Sequence, residues 1–327
     1  MADAQVEVLG IGNAIVDVIA HADEAFLVEH GMDKGGMALI DEARAAALYA
    51  AMGPGIEASG GSAGNTIAGI ASLGGQAAYI GRVRDDALGA IFAHDLRAIG
   101  VRFETTPATS GPSTARCLIL VTPDAQRTMN TYLGACADLT PDDIDEALVA
   151  SAGIVYLEGY LFDPPRAQEA FRKAATIARQ AGRRVALTLS DSFCVDRYRD
   201  AFRDLIAQHV DILFANEAEL AALYQTQDFD AAARDLAGQV GIAAITRGAA
   251  GSVLLSGAER IAIPAAPVDH VIDTTGAGDL YAAGILFGLA RNLPLARCGA
   301  LGSLAAAEII SHFGARPQVK LADLVEG

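Results

Sequence analysis

The sequence predicts an α/β protein whose central sheet is mostly parallel and covered by helices on both faces. Three observations carry this. Short apolar runs rich in Val and Ile recur along the chain: VEVLGI (6–11), AAYIGRV (77–83), GIVYL (153–157), VALTL (185–189), VDILF (210–214) and IAAIT (242–246). Helix-like stretches such as PPRAQEAFRKAATIARQAG (164–182) and EAELAALYQ (217–225) lie between most of them. Near-continuous apolar strands alternating with helices mark a sheet buried on both sides. Third, 327 residues with 52% hydrophobic and 20% charged content can build one sizeable core.

In chain order, VEVLGI reads as the first strand, with Asn13 and Asp17 just beyond it. Residues 18–40 show no long helical pattern. GGSAG (60–64) opens the helix-like NTIAGIASLG, for which Asn65 is a natural N-cap. GGSAG also fits the G-x-S-x-G elbow of serine hydrolases, with Ser62 as nucleophile. That elbow needs a strand directly before it, and GPGIEAS is poor strand material, so a hydrolase is disfavoured. PSTARCLILVTPDAQRTMNTYL (112–133) reads as two β runs around a PDAQ turn, a hairpin without a helix. At the end of VDILF, Asn216 and Glu219 form N-x-x-E, the spacing of a capping box. ITRGAAGS (245–252) is a strand end with a glycine turn. DTTGAGDLYAAGILFGL (273–289) closes the pattern with an apolar helix.

Bulk composition excludes several classes. The net charge of −16 and the absence of a Lys/Arg cluster argue against nucleic-acid binding. The four cysteines are scattered without CxxC, which suits a reducing compartment rather than a disulfide frame or zinc site. No apolar run spans a bilayer and no signal peptide is visible, so a cytoplasmic protein without membrane contact is expected. The chain has three lysines, Lys34, Lys173 and Lys320, none in a Walker A run. GIGNAI begins like a dinucleotide fingerprint but places Ile15 at the third glycine, which excludes a Rossmann dehydrogenase.

The stretch from Asp273 to Asp279 carries the chemistry. Gly276, Ala277 and Gly278 form a turn with almost no side chains at the start of a helix, where free N–H groups and the helix dipole attract an anion. A carboxylate beside such a turn would repel a bound phosphate. It makes sense if a hydroxyl sits between them, deprotonated by Asp279 as it attacks phosphorus. The alternative is that Asp279 only stabilises the helix start.

DTTGAGD resembles the second signature of the ribokinase-like (PfkB) carbohydrate and nucleoside kinases. GGSAGNTIAGIASLGGQAAYIGRVRDDALG (60–89) is similar to the family's upstream signature, and NEAEL (216–220) to its third segment. Within the family, GNAIVDVIA, DAQRTMNTYLGA (124–135) and EGYLF (158–162) look most like the adenosine kinase branch. The resemblance implies a ribokinase-like fold over residues 1–327, with a small β-sheet lid built from about 15–40 and 104–135. It implies transfer of a phosphoryl group from ATP to a hydroxyl, the 5′-hydroxyl of adenosine in that branch. A sugar kinase acting on ribose, fructose or a keto-sugar acid is the alternative. By the same likeness Asp279 is the base, Gly276, Ala277 and Gly278 the anion hole, and Arg127 the lid arginine that meets the transferred phosphate. Asn13, Asp17, Gly60, Gly61 and Asn65 would bind the sugar. A nucleoside base needs an apolar slot, which Met37, Leu39, Leu133, Tyr160, Leu161 and Phe162 could form, although core packing explains them equally well. Ser190, Asn216, Thr246, Gly248 and Ala306 would face ATP. Asn216 and Glu219 would order Mg²⁺ through water, and Asp273 would hold a monovalent cation such as K⁺. A small-molecule nucleoside or sugar and ATP are the expected partners, and the chain is expected as a monomer or homodimer.

Overall fold

The apolar runs become strands of one large sheet. The structure, a computed structural model, describes residues 6–124 and 126–325. The sheet has nine strands, ordered 259–263, 252–256, 242–246, 212–216, 184–188, 152–158, 6–11, 77–80 and 102–103. All neighbours are parallel except the two hairpins formed by 242–246, 252–256 and 259–263. Successive strand residues face opposite layers. Thus Leu9, Ile11, Val155 and Leu157 pack on one side with the helices Pro165–Gln180 and Ser192–His209. Val8, Ile154 and Tyr156 pack on the other with Ser62–Ser72, Ala277–Ala290 and Leu295–Ile310.

The helix Ala277–Ala290 is apolar on every side and buried from Leu280 to Leu289. Its glycines allow close approach: a Cβ on Gly284 would lie 2.4 Å from the Gly302 nitrogen on the neighbouring helix. An all-round apolar helix of this kind belongs in a core. Its packing fixes the position of its N-terminus, which carries Asp279.

A second sheet of five strands runs in the order 37–39, 127–132, 115–121, 15–21 and 55–59. The hairpin of the sequence reading is present, pairing Cys117 with Thr131 and Val121 with Arg127. Its turn residue Ala125 lies outside the described residues. One expectation fails. GPGIEAS is not strand-poor: Gly55–Ser59 is a strand, paired antiparallel with Ile15–His21. The sheet therefore includes residues beyond the 15–40 segment. Its two faces differ by the period of two. Val18, Ala20, Leu118 and Leu120 pack against Leu27 and Leu48 of the short helices behind it. Ile15, Asp17, Cys117, Ile119, Met129 and Thr131 point the other way, into a cavity.

Candidate active site

A cavity of about 620 Å³ lies between the small sheet and the carboxyl ends of the large one. It opens beside strands 6–11 and 152–158, from which the chain proceeds to opposite sides of the sheet. In open α/β sheets this reversal of strand order leaves a crevice where ligands bind.

Gly276, Ala277, Gly278 and Asp279 border the cavity. Gly276 has φ +78°, caps the helix without a side-chain hydrogen bond, and packs on Ala315. A Cβ on Gly278 would meet no protein atom within 4 Å, so the turn is open on the cavity side. Asp279 is oriented by the facing helix: Oδ1 accepts from the Ser62 hydroxyl at 2.6 Å and Oδ2 from Asn65 Nδ2 at 3.0 Å. Burial pushes its carboxyl up to about 6, while the Ser62 and Asn65 hydrogen bonds oppose that shift. Asn65 is not the N-cap, a role taken by Gly61. Its Oδ1 is buried without a hydrogen-bond partner although the residue borders the cavity, leaving an acceptor for a ligand hydroxyl.

Asn13 and Asp17 also border the cavity. The two glycines beside them are required by close approach. A Cβ on Gly60 would sit 2.4 Å from the Asp17 carboxylate, and one on Gly61 2.3 Å from the Asn13 carbonyl oxygen. Burial raises the Asp17 carboxyl to about 6, opposed by the charges of Arg316 and Arg127. Glu158, the first residue of EGYLF, carries no local motif that marks it for the site. It is 1% exposed and accepts from Asn13 Nδ2 at 2.8 Å and from the Ala63 amide at 2.8 Å. It thereby joins the end of the first strand to the start of the helix Ser62–Ser72. Burial lifts its carboxyl to about 7.

The wall above these groups is apolar. Met37, Leu39, Ile119, Met129 and Tyr160 border the cavity. So does Phe193, which is 74% exposed. Leu161 does not. It is 1% exposed and packs in the core with Phe162, because Gly159–Phe162 forms a 3₁₀ turn that sends Tyr160 outward instead. Phe193 carried no local motif that could have marked it.

On the far side of the cavity lie Ser190, Asn216, Glu219 and Thr246. Ser190 holds φ +70°, a strained value for a residue with a side chain. Asn216 and Glu219 form the capping box, with Glu219 accepting from the Asn216 amide at 2.9 Å. Burial raises the Glu219 carboxyl to about 7. Its position suits a nearby cation, which would favour the ionised form. Among the described residues no cluster of three or more His, Cys, Asp or Glu gathers as a ready metal site. Gly248 (φ +55°) and Ala306 do not border the cavity; Ala306 packs on the core.

Arg127 and Asp273 form a buried ion pair. Asp273 Oδ1 also accepts from the Thr275 amide and hydroxyl, and Oδ2 from the Gly314 amide at 3.1 Å. The guanidinium thus occupies the carboxylate expected to bind a monovalent cation, and the residues present do not fit that ion. Arg127 itself does not border the cavity. A surface arginine is excluded, since its side chain is only 9% exposed.

Ser62 lies after a strand and at a helix start, as a nucleophile elbow would require. No histidine among the described residues borders the cavity, so the serine has no base for acyl transfer. None of the described helices is long and apolar enough to cross a membrane.

Comparison with known proteins identifies the family. Adenosine kinase from Sinorhizobium meliloti superposes with a TM-score of 0.92 at 55% identity, over 99% of this chain and 99% of that one. A probable sugar kinase from Rhizobium etli gives 0.92 at 51% identity, over 99% and 98%. Adenosine kinase from Saccharomyces cerevisiae is 26% identical over 326 residues, spanning 93% of this chain and 94% of its own. The sequence profile of the pfkB family carbohydrate kinases matches residues 56–321, and the chain belongs to that family of phosphotransferases with an alcohol acceptor.

Proposed function

We propose that the protein transfers the γ-phosphoryl group of ATP to the 5′-hydroxyl of adenosine, yielding ADP and AMP. The observation that carries this reading is the junction of two surfaces in one cavity. An apolar wall of Met37, Leu39, Met129 and Tyr160 meets a polar floor of Asp17, Asn65 and Asp279. A nucleoside has this division; a free sugar has no apolar part to cover the wall. The adenosine kinases among the similar proteins support the same assignment.

In this reading Asp17 accepts hydrogen bonds from the ribose diol and Asn65 Oδ1 from a further hydroxyl. The 5′-hydroxyl donates to Asp279, whose carboxylate is held in place by Ser62 and Asn65. As the hydroxyl oxygen bonds the γ-phosphorus, the bond to the ADP oxygen breaks and the proton passes to Asp279. A carboxylate with a value near 6 is a better base than an ordinary aspartate. The helix N-terminus at Gly276–Gly278 receives the phosphoryl oxygens. Mg²⁺, ordered through water by Asn216 and Glu219, would neutralise charge on the phosphates. Arg127, fixed on Asp273, ties the small sheet to the phosphate turn and lets that sheet act as a lid.

A pfkB sugar kinase is the second reading, favoured by the name of the Rhizobium etli neighbour. Both are tested by measuring ADP release with adenosine, ribose and fructose. Burial of the base adds about 25 cal/mol per Å² of apolar contact, so adenosine should react at far lower concentration. Efficient turnover of ribose without adenosine activity refutes the nucleoside assignment.

A further inference from the structure

We propose that Arg316 is a positioning residue of the transfer reaction, holding the start of the helix Ser62–Ser72 against the small sheet while its positive charge serves Asp17 and Asp279 together. The inference rests on the reading of Asp279 as the base.

The geometry starts from three consecutive residues near the C-terminus. The Gly314 amide donates to Asp273, Ala315 packs on Gly276, and Arg316 reaches the opposite side of the site. Arg316 Nε donates to the Ser59 carbonyl at 2.9 Å, Nη2 to the Ser59 hydroxyl at 3.1 Å, and Nη1 to the Gly64 carbonyl. Ser59 ends the strand Gly55–Ser59, and Gly64 lies in the first turn of Ser62–Ser72. The Ser59 amide is held in turn by Asp95 Oδ2 at 2.8 Å. One guanidinium therefore spans the break between strand and helix. Ser62 and Asn65, the two partners of Asp279, stand on the helix side of that break.

All of these acceptors are uncharged, so among the described residues no contacting carboxylate cancels the charge of Arg316. Its field falls on Asp17, Tyr79, Asp279 and Asp95. The other arginine near Asp17 is Arg127, which is already committed to Asp273. The cavity floor otherwise gathers like charges: Asp17, Glu158 and Glu219 all feel Asp279. Burial drives Asp17 and Asp279 up to about 6, and Arg316 opposes that push on both. Burial lowers Arg316 itself to about 10, which leaves it charged at neutral pH.

The test uses the whole enzyme with Arg316→Met and Arg316→Lys, and follows kcat and KM from pH 5 to 9. Removing the charge should move the acid limb of kcat/KM to higher pH, with a loss of a few-fold on that limb and none on the plateau. KM for ATP should stay within about 2-fold. Arg316→Lys should keep the acid limb and raise only KM for the alcohol, because the charge stays and the fork is lost. Equal losses in both variants with unchanged pH profiles would reduce Arg316 to a structural strut and overturn the proposal. If Arg316→Met does not fold, Arg316→Lys decides alone: an acid limb displaced to higher pH despite the retained charge also overturns it. The titration is read on whichever alcohol the wild type phosphorylates, so failure of the adenosine assignment leaves it intact. Near-normal turnover by Asp279→Asn refutes the base; an inactive Asp279→Asn with an unshifted Arg316→Met refutes only this proposal.

Discussion

Asp279→Asn removes the proton acceptor while disturbing little else. Asp279 Oδ1 accepts from Ser62, a role an amide oxygen can keep. The other oxygen accepts from Asn65 Nδ2, where an amide nitrogen would place donor against donor. Asn65 can answer by turning its amide over, since its own Oδ1 is buried without a partner. The exchange should therefore cost about 1 kcal/mol or less in stability. In catalysis the cost is larger. A carboxyl near 6 is about nine-tenths ionised at pH 7, so the wild type holds its base ready. Losing a general base lowers transfer by roughly 10²- to 10⁴-fold. Rapid-quench measurement of ADP formation would give the rate of transfer, calorimetry the ATP and nucleoside affinities, and a thermal melt the stability. ATP binding should survive, and nucleoside binding should weaken only modestly, because the turned Asn65 amide presents its nitrogen where Oδ1 accepted a ligand hydroxyl. Asp273→Asn is the control: it weakens the Arg127 pair and should lower the melting temperature more but transfer less. Near wild-type transfer by Asp279→Asn, with a melting shift alone, would refute the reasoning.

Three further outcomes follow from the same geometry. Arg127→Ala strands a buried carboxylate, which should cost about 3 kcal/mol in stability and lower kcat more than ATP affinity, read by denaturant titration and steady-state kinetics. Because Arg127 already neutralises Asp273, exchange of K⁺ for a bulky organic cation at constant ionic strength should leave turnover unchanged; strict K⁺ dependence would show that the pair opens. Ser62→Ala removes one hydrogen bond that holds Asp279 ionised, so activity should fall by about 10-fold or less with the acid limb moved upward; complete loss would revive a nucleophilic serine. Glu158 and Glu219 are raised to about 7 and Asp17 and Asp279 to about 6, so the native state binds more protons than the unfolded chain. Their stabilising contribution is complete below about pH 4 and is lost as pH rises through 6 to 7. The melting temperature should fall between about pH 4 and 7, and a flat or rising profile there would contradict the burial argument.

The sheet was legible because its strands are buried on both faces. VEVLGI and IAAIT coincide with Val6–Ile11 and Ile242–Thr246, where short apolar runs broken only by Glu7 and closed by Thr246 leave little choice. The phosphate turn and its acid were legible because a positive-φ glycine, an open glycine and a carboxylate fall within four residues. Gly55–Ser59 was missed because an edge strand of a small sheet needs only one buried face, and GIEAS shows little apolar content. Tyr160 and Leu161 are both apolar candidates for a base slot in the sequence, and only the 3₁₀ turn after the strand decides between them, sending Tyr160 to the cavity and Leu161 into the core. Glu158 and Arg316 act across 145 and 257 positions of sequence, toward Asn13 and Ser59. No local pattern encodes such pairs. Their roles arise only when the first strand, the helix Ser62–Ser72 and the C-terminal segment meet.

The measurement that bears most directly on the central claim is product identification by ³¹P NMR after incubation with ATP, Mg²⁺ and equal concentrations of adenosine, ribose and fructose. The account predicts AMP phosphorylated at the 5′ position as the main new phosphate ester, and no transfer when 5′-deoxyadenosine replaces adenosine. A sugar phosphate as the main product, with adenosine recovered unchanged, would contradict it.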